Sequence, residues 1–489
     1  MSGTNALTVS PFVGLRPFGS IDSPYFFGRT LEIELLAANL RTSRVSLVYG
    51  ESGVGKSSLL GAGLGSRLRK AGDGLDAESI ESETENTVGI VFSMSSTDPI
   101  MELTSRLALL AGVDSNGDRS LVGAVACVLD KADRLLIVLD QFEEYLAYAR
   151  SNHSDAFAQE FSHLVTARDI PVHFMLGIRE DAISRLDYFG RRARDLMANP
   201  IRILPLSPDA AKEAVFGPVR VFNDASSVHY VVEPELARAV IDGSRIGMVD
   251  LGSAGRGGVP QLPHGDGDGV EAAYLQLVLR RVWDEEVASD SLTLRLQTLE
   301  RLGGTAGIVR GHVDKMMTRL SARQQRTAVK VFRFLVTPSG VKVPYSASDL
   351  AALTEQDADR VADMLKRLAA EDVRIIRSLR PVSGHEPQFE IYHDRLADPI
   401  LDWRARKANA IRTQAGRVGS AVLAMACLAL ALSFFLINGP RVTNVAVGTA
   451  SILYLVYALV LWRFPALAER QMRLKQRVAS WLGSALETG

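Results

Sequence analysis

The run from Val45 to Leu60, Val-Ser-Leu-Val-Tyr-Gly-Glu-Ser-Gly-Val-Gly-Lys-Ser-Ser-Leu-Leu, constrains this chain more than any other stretch. A β-branched, apolar run enters a glycine-rich turn, and Ser-Ser-Leu-Leu leaves it as the start of a helix. Gly50, Gly55, Lys56 and Ser57 fill every fixed position of GxxxxGKS, in the strand–loop–helix context that a phosphate-binding P-loop requires. The loop from Gly50 through Glu51, Ser52, Gly53, Val54 and Gly55 to Ser58 can wrap backbone N–H groups around phosphates, and the helix N-terminus adds partial positive charge. Lys56 can reach the β- and γ-phosphates, and the Ser57 hydroxyl can ligate Mg²⁺. The expected ligands are ATP or ADP with Mg²⁺.

The remaining bounds are looser. With 489 residues the chain has room for about three domains. A net charge of −1 supplies no global basic field for nucleic acid. Cys127 and Cys427 are the only cysteines, too few for a disulfide framework and in keeping with a reducing compartment. The N-terminus lacks the basic-then-apolar build of a signal peptide, and no fixed-period repeat is present.

Upstream of the P-loop, Pro11–Phe18 and Tyr25-Phe26-Phe27-Gly28-Arg29 precede a helical pattern over Leu31–Leu40. Aromatics beside Gly and Arg fit either plain packing or a wall for a nucleotide base. Downstream, residues 71–87 read as an acidic, solvated loop. Val88–Met94, Leu135–Asp140, Val172–Ile178 and Ile201–Leu206 read as strands, separated by helices over Met101–Ala111 and Leu121–Lys131. Strands alternating with helices argue a parallel, doubly wound sheet with its ligand at the strand C-termini. From about Ser207 to Glu300 the pattern is helical, broken by the long Gly/Pro/His-rich loop Gly252–Gly269. Then come helices over Ser321–Val336, Asp349–Leu353 and Thr354–Ala370, the last with Thr354 and Asp357 resembling a capping box. Two strands follow, Arg374–Leu379 and Gln388–His393. Helices followed by a β-hairpin describe a winged-helix domain.

Asp140 ends the strongest apolar strand and is the natural Walker-B carboxylate, holding Mg²⁺ through water. Glu143 and Glu144 follow on the next turn. One can orient or deprotonate the attacking water and the other can cap or pair on the helix surface, and the sequence does not distinguish them. Arg179 leaves a later strand at the same sheet edge, where it can sense the γ-phosphate or balance its charge, or serve as a salt-bridge residue at a strand end.

Taken together, Phe-Val-Gly-Leu-Arg-Pro-Phe, Phe27-Gly28-Arg29, the P-loop, Asp140-Gln-Phe-Glu-Glu, Tyr274–Glu286, Phe334–Gly340 and Tyr392-His393-Asp394 resemble the conflict-associated novel STAND NTPases of bacteria, relatives of NACHT and apoptotic ATPases. The resemblance covers roughly residues 11–407. It implies a switch in which an ADP-bound closed monomer exchanges to ATP, opens about its winged-helix domain and oligomerises. It further implies that Phe27, Gly28 and Arg29 form the adenine-side motif and that Pro218 packs on the base. His393 would present itself to the bound diphosphate. The motif begins at Pro11, leaving no effector domain ahead of the NTPase, and no sensor array follows the winged helix.

Val418–Ile437 is an uncharged run of membrane-spanning length, and Val445–Trp462 nearly matches it. Basic residues flank both outer ends: Arg404, Arg406, Lys407, Arg412 and Arg417 before, Arg463, Arg470, Arg473, Lys475 and Arg477 after. This predicts a two-span hairpin in the cytoplasmic membrane of a bacterium, with membrane lipid as a partner and both termini cytoplasmic. The expected architecture is an α/β P-loop NTPase with an additional-strand parallel sheet, then an all-α lid, a winged helix and two transmembrane helices. Its boundaries are an N-terminal segment 1–28, NTPase domain 29–206, lid 207–305, winged helix 306–407, basic linker 408–417, hairpin 418–464 and amphipathic basic tail 465–489.

The expected function is a membrane-anchored, nucleotide-dependent ATPase switch that forms homo-oligomers, with the hairpin as effector in bacterial defence. An alternative is a tethered scaffold for a separate sensor or effector protein. A winged-helix transcription regulator is less favoured, because Glu355, Asp357, Asp359 and Asp363 oppose Arg360, Lys366 and Arg367 on the candidate recognition helix, so nucleic acid is an unfavoured partner. A transporter-type motor lacks the Leu-Ser-Gly-Gly signature.

Overall fold

The computed structural model describes residues 10–68, 78–82, 85–94, 99–113, 120–149, 156–245, 269–338, 340–370, 373–379 and 386–438. The chain divides into two compact units, Met1–Leu401 and Asp402–Gly489.

The first unit is built on a six-stranded sheet made by β1 (Val45–Gly50), β2 (Glu78–Ser82), β3 (Glu85–Ser93), β4 (Arg134–Asp140), β5 (Val172–Arg179) and β6 (Pro200–Arg202), in the order β2-β3-β4-β5-β1-β6. All neighbouring pairs are parallel except β2–β3. β4 shows why the sheet is buried on both faces. Leu135, Ile137 and Leu139 enter one core with Phe142, Phe161 and Phe174, while Leu136 and Val138 enter the other with Leu36, Leu59 and Leu60. A period of two with both faces apolar is what a strand covered by helices on each side needs. Residues 71–87, expected as a solvated loop, contain β2 and the start of β3. Alternation in Glu-Ser-Ile-Glu-Ser is too weak to announce an edge strand. β6 is shorter than expected and stops at Arg202, yet Ile203 still donates its N–H to Tyr49 O at 2.7 Å.

Beyond the sheet come the helices Pro208–Ala225, Pro234–Gly243, Ala272–Ala288 and Leu296–Arg301, with Trp283 packed on Phe222 and Tyr230, and the short parallel pair β7 (Val231–Val232) and β8 (Thr293–Leu294). Most of the long loop Gly252–Gly269 lies outside the described residues. A further module follows: helices Gly304–Thr318 and Ala322–Leu335, strand β9 (Tyr345–Ser346), helices Ala347–Thr354 and Ala358–Ala369, and strands β10 (Ile376–Leu379) and β11 (Gln388–Ile391), the three strands forming an antiparallel sheet in the order β10-β11-β9. The proposed Thr354 capping box is corrected here. Thr354 closes the preceding helix and donates its hydroxyl to Leu350 O at 2.6 Å, Glu355 turns left-handed at φ 54°, and Asp357 alone caps the next helix by accepting the Arg360 N–H.

In the second unit, residues 402–438 belong to the helix Ala397–Asn438. Among the described residues no helix is long and apolar enough to cross a membrane, so the expected transmembrane hairpin finds no support. Its first half falls within one continuous helix that also carries Arg404, Arg406, Lys407 and Arg412. Its second half, Val445–Trp462, and the tail 465–489 lie outside the described residues.

Candidate functional site

Strand register fixes the chemistry at one sheet edge. Gly50 at the end of β1 stands opposite Arg179 at the end of β5, and β5 separates β1 from β4, which ends in Asp140. The P-loop leaves β1 and enters a helix over residues 56–68, widened by a π segment at Leu59–Leu64. Gly53 and Gly55 hold φ of 85° and 102°, left-handed values that a side chain would strain. A Cβ on Gly50 would lie 2.6 Å from Ile203 O. Gly177 on β5 was not singled out from sequence, yet a Cβ there would lie 2.6 Å from Leu60 Cδ1 and 2.9 Å from Asp140 Oδ1. Its bare backbone lets the P-loop helix and the Walker-B carboxylate approach the same strand.

Lys56 is only 9% exposed, and its ammonium donates to the carbonyls of Gly50 and Glu51 at 2.8 Å each. Burial lowers its pKa, against the pull of Glu143 and Asp140. Asp140 is pushed up by burial while Ser57 donates a hydrogen bond to it and the Gln141 N–H donates at 2.9 Å. Gln141 itself takes a left-handed φ of 57°, a sharp turn from β4 into the helix Phe142–Ala149. Phe142 and Tyr145 anchor that helix among Phe157, Phe161 and Phe189, with ring centroids 4.7–6.4 Å apart. The packing faces Glu143 towards Asp140 and Lys56, and Glu143 Oε2 accepts the Arg179 N–H at 3.2 Å. Burial first, and the neighbouring carboxylates next, push Glu143 up to about 7. Both glutamates line the cavity, but Glu143 has the environment of a group that exchanges a proton near neutrality.

These groups line a cavity of about 1100 Å³. Ser52 through Ser58, Asp140, Glu143 and Arg179 form one end of its wall. Phe18, Tyr25, Phe26, Phe27, Leu206, Ala214 and Leu275 give another part an apolar lining. Arg29, 5% exposed, lines it too, but its guanidinium is spent on Val54 O at 3.1 Å, Leu204 O at 2.8 Å and Glu32 at 2.6 Å, tying the P-loop to the strand-β6 exit. Gly28 is not on the wall. Its φ of 84° and a backbone contact with Ala210 explain the glycine instead. Gly50 and Glu51 also stand behind the wall and contribute carbonyls to Lys56. Ser58 lines the cavity and accepts the Phe18 N–H at 3.1 Å. Pro218, expected against the base, is buried inside the helix Pro208–Ala225 and does not line the cavity; Ala214, one turn earlier, does.

The far wall comes from the C-terminal module. His393, just past β11 and 8% exposed, lies over Gly53 so closely that no Cβ would fit there. Its Nδ1 accepts the Arg395 N–H at 3.2 Å, and its Nε2 is 3.8 Å from Glu271 Oε2. Sequence reasoning missed three neighbours. Arg377 donates to Ser52 Oγ at 3.2 Å and to Glu390 Oε1 at 2.8 Å. Glu390 also pairs with Arg179 at 3.1 Å. Arg374 donates to Leu15 O at 3.2 Å and to the Tyr392 hydroxyl at 3.0 Å. Their only sequence signal was polar residues alternating with apolar ones on a short hairpin.

The residues suit a Mg²⁺–nucleotide. Among the described residues no cluster of three or more His, Cys, Asp or Glu could hold a metal, so Ser57 and Asp140, hydrogen-bonded to each other, would hold Mg²⁺ only together with phosphate oxygens and water.

No curated protein matches the chain significantly. Among solved structures, the Aeropyrum pernix ORC2 protein in its ADPNP–ADP complexes is 15% identical with a TM-score of 0.43, covering 78% of this chain and 94% of that one. The A. pernix ORC1 protein in complex with DNA gives 15%, 0.43, 79% and 94% for the same measures. A Walker-type ATPase of Pyrococcus abyssi gives 16%, 0.38, 79% and 98%. These likenesses are too distant to bear on ligand or partner. The family model of Novel STAND NTPase 1 matches residues 11–415. With its P-loop, Walker-B strand and parallel sheet in that span, the chain belongs to the Novel STAND NTPase 1 family.

Proposed function

We propose that the protein is an ATPase whose bound nucleotide switches it between a closed and an open form. One observation carries the reading: a single cavity is walled on one side by the P-loop and on another by the module at residues 304–393, with His393 against Gly53 and Arg377 bonded to Ser52. A ligand in that cavity touches both, so its identity can bias whether they stay together. The module has the element order of a winged helix and acts here as a cover. The apolar part of the wall, with Phe27, takes the adenine. Lys56, the P-loop N–H groups and His393 take the phosphates of ADP in the closed form.

In hydrolysis, Mg²⁺ held by Ser57 and Asp140 would neutralise the phosphate oxygens. Glu143 accepts the proton of the attacking water, for which a pKa near 7 is matched to neutral pH. Exchange of ADP for ATP releases the module and exposes surfaces through which copies of the chain associate, which makes the protein a signalling switch.

Light scattering of the full chain tests this. Wild type with Mg·ADP should run as a monomer, and Glu143→Gln with Mg·ATP, which binds but does not hydrolyse, should assemble. Monomers under both conditions, or equal assembly by Lys56→Ala, would overturn the proposal.

A further inference from the structure

The ion pairs that join the module to the NTPase core are unusual in their placement. Arg179 is the cation at the end of β5, level with Gly50 and lining the cavity beside the P-loop. Its guanidinium is engaged by Asp181, at 2.6 and 2.9 Å, and by Glu390 Oε1 of β11, at 3.1 Å. The same Glu390 oxygen accepts from Arg377, whose remaining nitrogen bonds Ser52 of the P-loop. Glu390 is 4% exposed and Arg179 is largely buried. Arg179 and Arg377 are thus matched by Asp181 and Glu390. A carboxylate of β11, behind the cavity wall, draws Arg179 towards the module.

In the placement proposed above, with the diphosphate on Lys56 and the P-loop N–H groups, a nucleoside diphosphate would bring no group to Arg179. A third phosphate would, because it would bring oxygens of higher charge than a carboxylate to the end of β5, where Arg179 lines the cavity beside the P-loop. Taking Arg179 from Glu390 leaves a desolvated carboxylate with one partner fewer, which disfavours the docked hairpin.

We infer that Glu390 sets the nucleotide selectivity of the closed form: by tethering Arg179 it makes the site favour a nucleoside diphosphate over a triphosphate, and a triphosphate is accommodated only as the β10–β11 hairpin lets go. The inference rests on the switch reading above and assigns the discrimination to one side chain. Asp181 lies on the core and feels the module through the charge of Lys342, whereas Glu390 bonds Arg179 directly from the hairpin.

The test is calorimetric titration of the full chain with Mg·ADP and with a Mg-bound, non-hydrolysable ATP analogue, for wild type, Glu390→Gln and Lys56→Ala. Glu390→Gln keeps the shape and an acceptor oxygen while removing the charge. It should shift the ratio of the two affinities at least tenfold towards the triphosphate. A ratio within threefold of wild type, with binding still lost in Lys56→Ala, overturns this inference while leaving the switch standing. Binding unaffected by Lys56→Ala overturns both. Should Glu390→Gln not fold, hydrogen exchange on wild type decides. Backbone amides of 376–379 and 388–391 should exchange faster with the triphosphate analogue than with ADP, and equal protection in the two complexes overturns the assignment.

Discussion

Gly53→Ala isolates the contact between the P-loop and its cover. Two separate penalties follow from the geometry. Gly53 has φ of 85°, where an L-residue costs about 1–2 kcal/mol. The new Cβ would also lie roughly 1 Å inside ordinary van der Waals contact with the His393 ring. That ring has little room to swing: it is buried and its Nδ1 accepts the Arg395 N–H. Relief must come from displacement of the module, which stretches the Arg377–Ser52 bond of 3.2 Å, at an overpacking cost of about 1–3 kcal/mol. The expected total is about 2–5 kcal/mol. His393→Ala removes the overlap but not the backbone strain, so the double variant should lose only about 1–2 kcal/mol relative to His393→Ala alone. Urea unfolding of wild type, both single variants and the double variant gives the coupling energy, expected near 1–3 kcal/mol. A coupling below about 0.5 kcal/mol would refute the reasoning, because the loss would then belong to the loop itself and not to the contact.

Three further outcomes are expected. The folded protein favours protonated Glu143, at about 7 against an ordinary 4.5, so this group's stabilisation is complete below about pH 4.5 and is lost as pH rises through 7. Glu143→Gln should therefore unfold at higher urea than wild type at pH 8, by up to about 3 kcal/mol, with the gap closing at pH 5; wild-type hydrolysis should rise through the same pH range. Arg29→Leu leaves the carbonyls of Val54 and Leu204 without their donor and should cost about 2–4 kcal/mol in thermal unfolding, with nucleotide affinity falling because the P-loop loses its tie to residue 204. Gly177→Ala crowds Leu60 and the Asp140 carboxylate, and should lower Mg²⁺-dependent hydrolysis more than nucleotide binding, measured by turnover against titration.

The sequence alone determined that this chain carries a P-loop NTPase site. GxxxxGKS and an apolar strand ending in Asp140 work through local geometry: a strand, a tight glycine turn and a helix start need only neighbours in the chain. The parallel sheet was legible for the same reason, since β4 and β5 are continuous apolar runs. The edge strand β2 was not, because an edge is stabilised by its partner and not by its own pattern. Separating Glu143 from Glu144 required the tertiary structure. Both sit on one helical turn, and only the aromatic packing of Phe142 and Tyr145 and the Arg179 N–H decide which carboxylate is held near Lys56.

The same holds for Pro218, which the family resemblance set against the base: helix packing buries it away from the cavity, which Ala214 lines instead. Above all, the meeting of Ser52 with Arg377 and of Arg179 with Glu390 spans more than two hundred residues. No local rule encodes such a contact. It arises only when the β10–β11 hairpin packs against the P-loop in the folded chain, so the P-loop and Walker-B motifs are written in the sequence, while the residues of the C-terminal module that face them are decided by the fold.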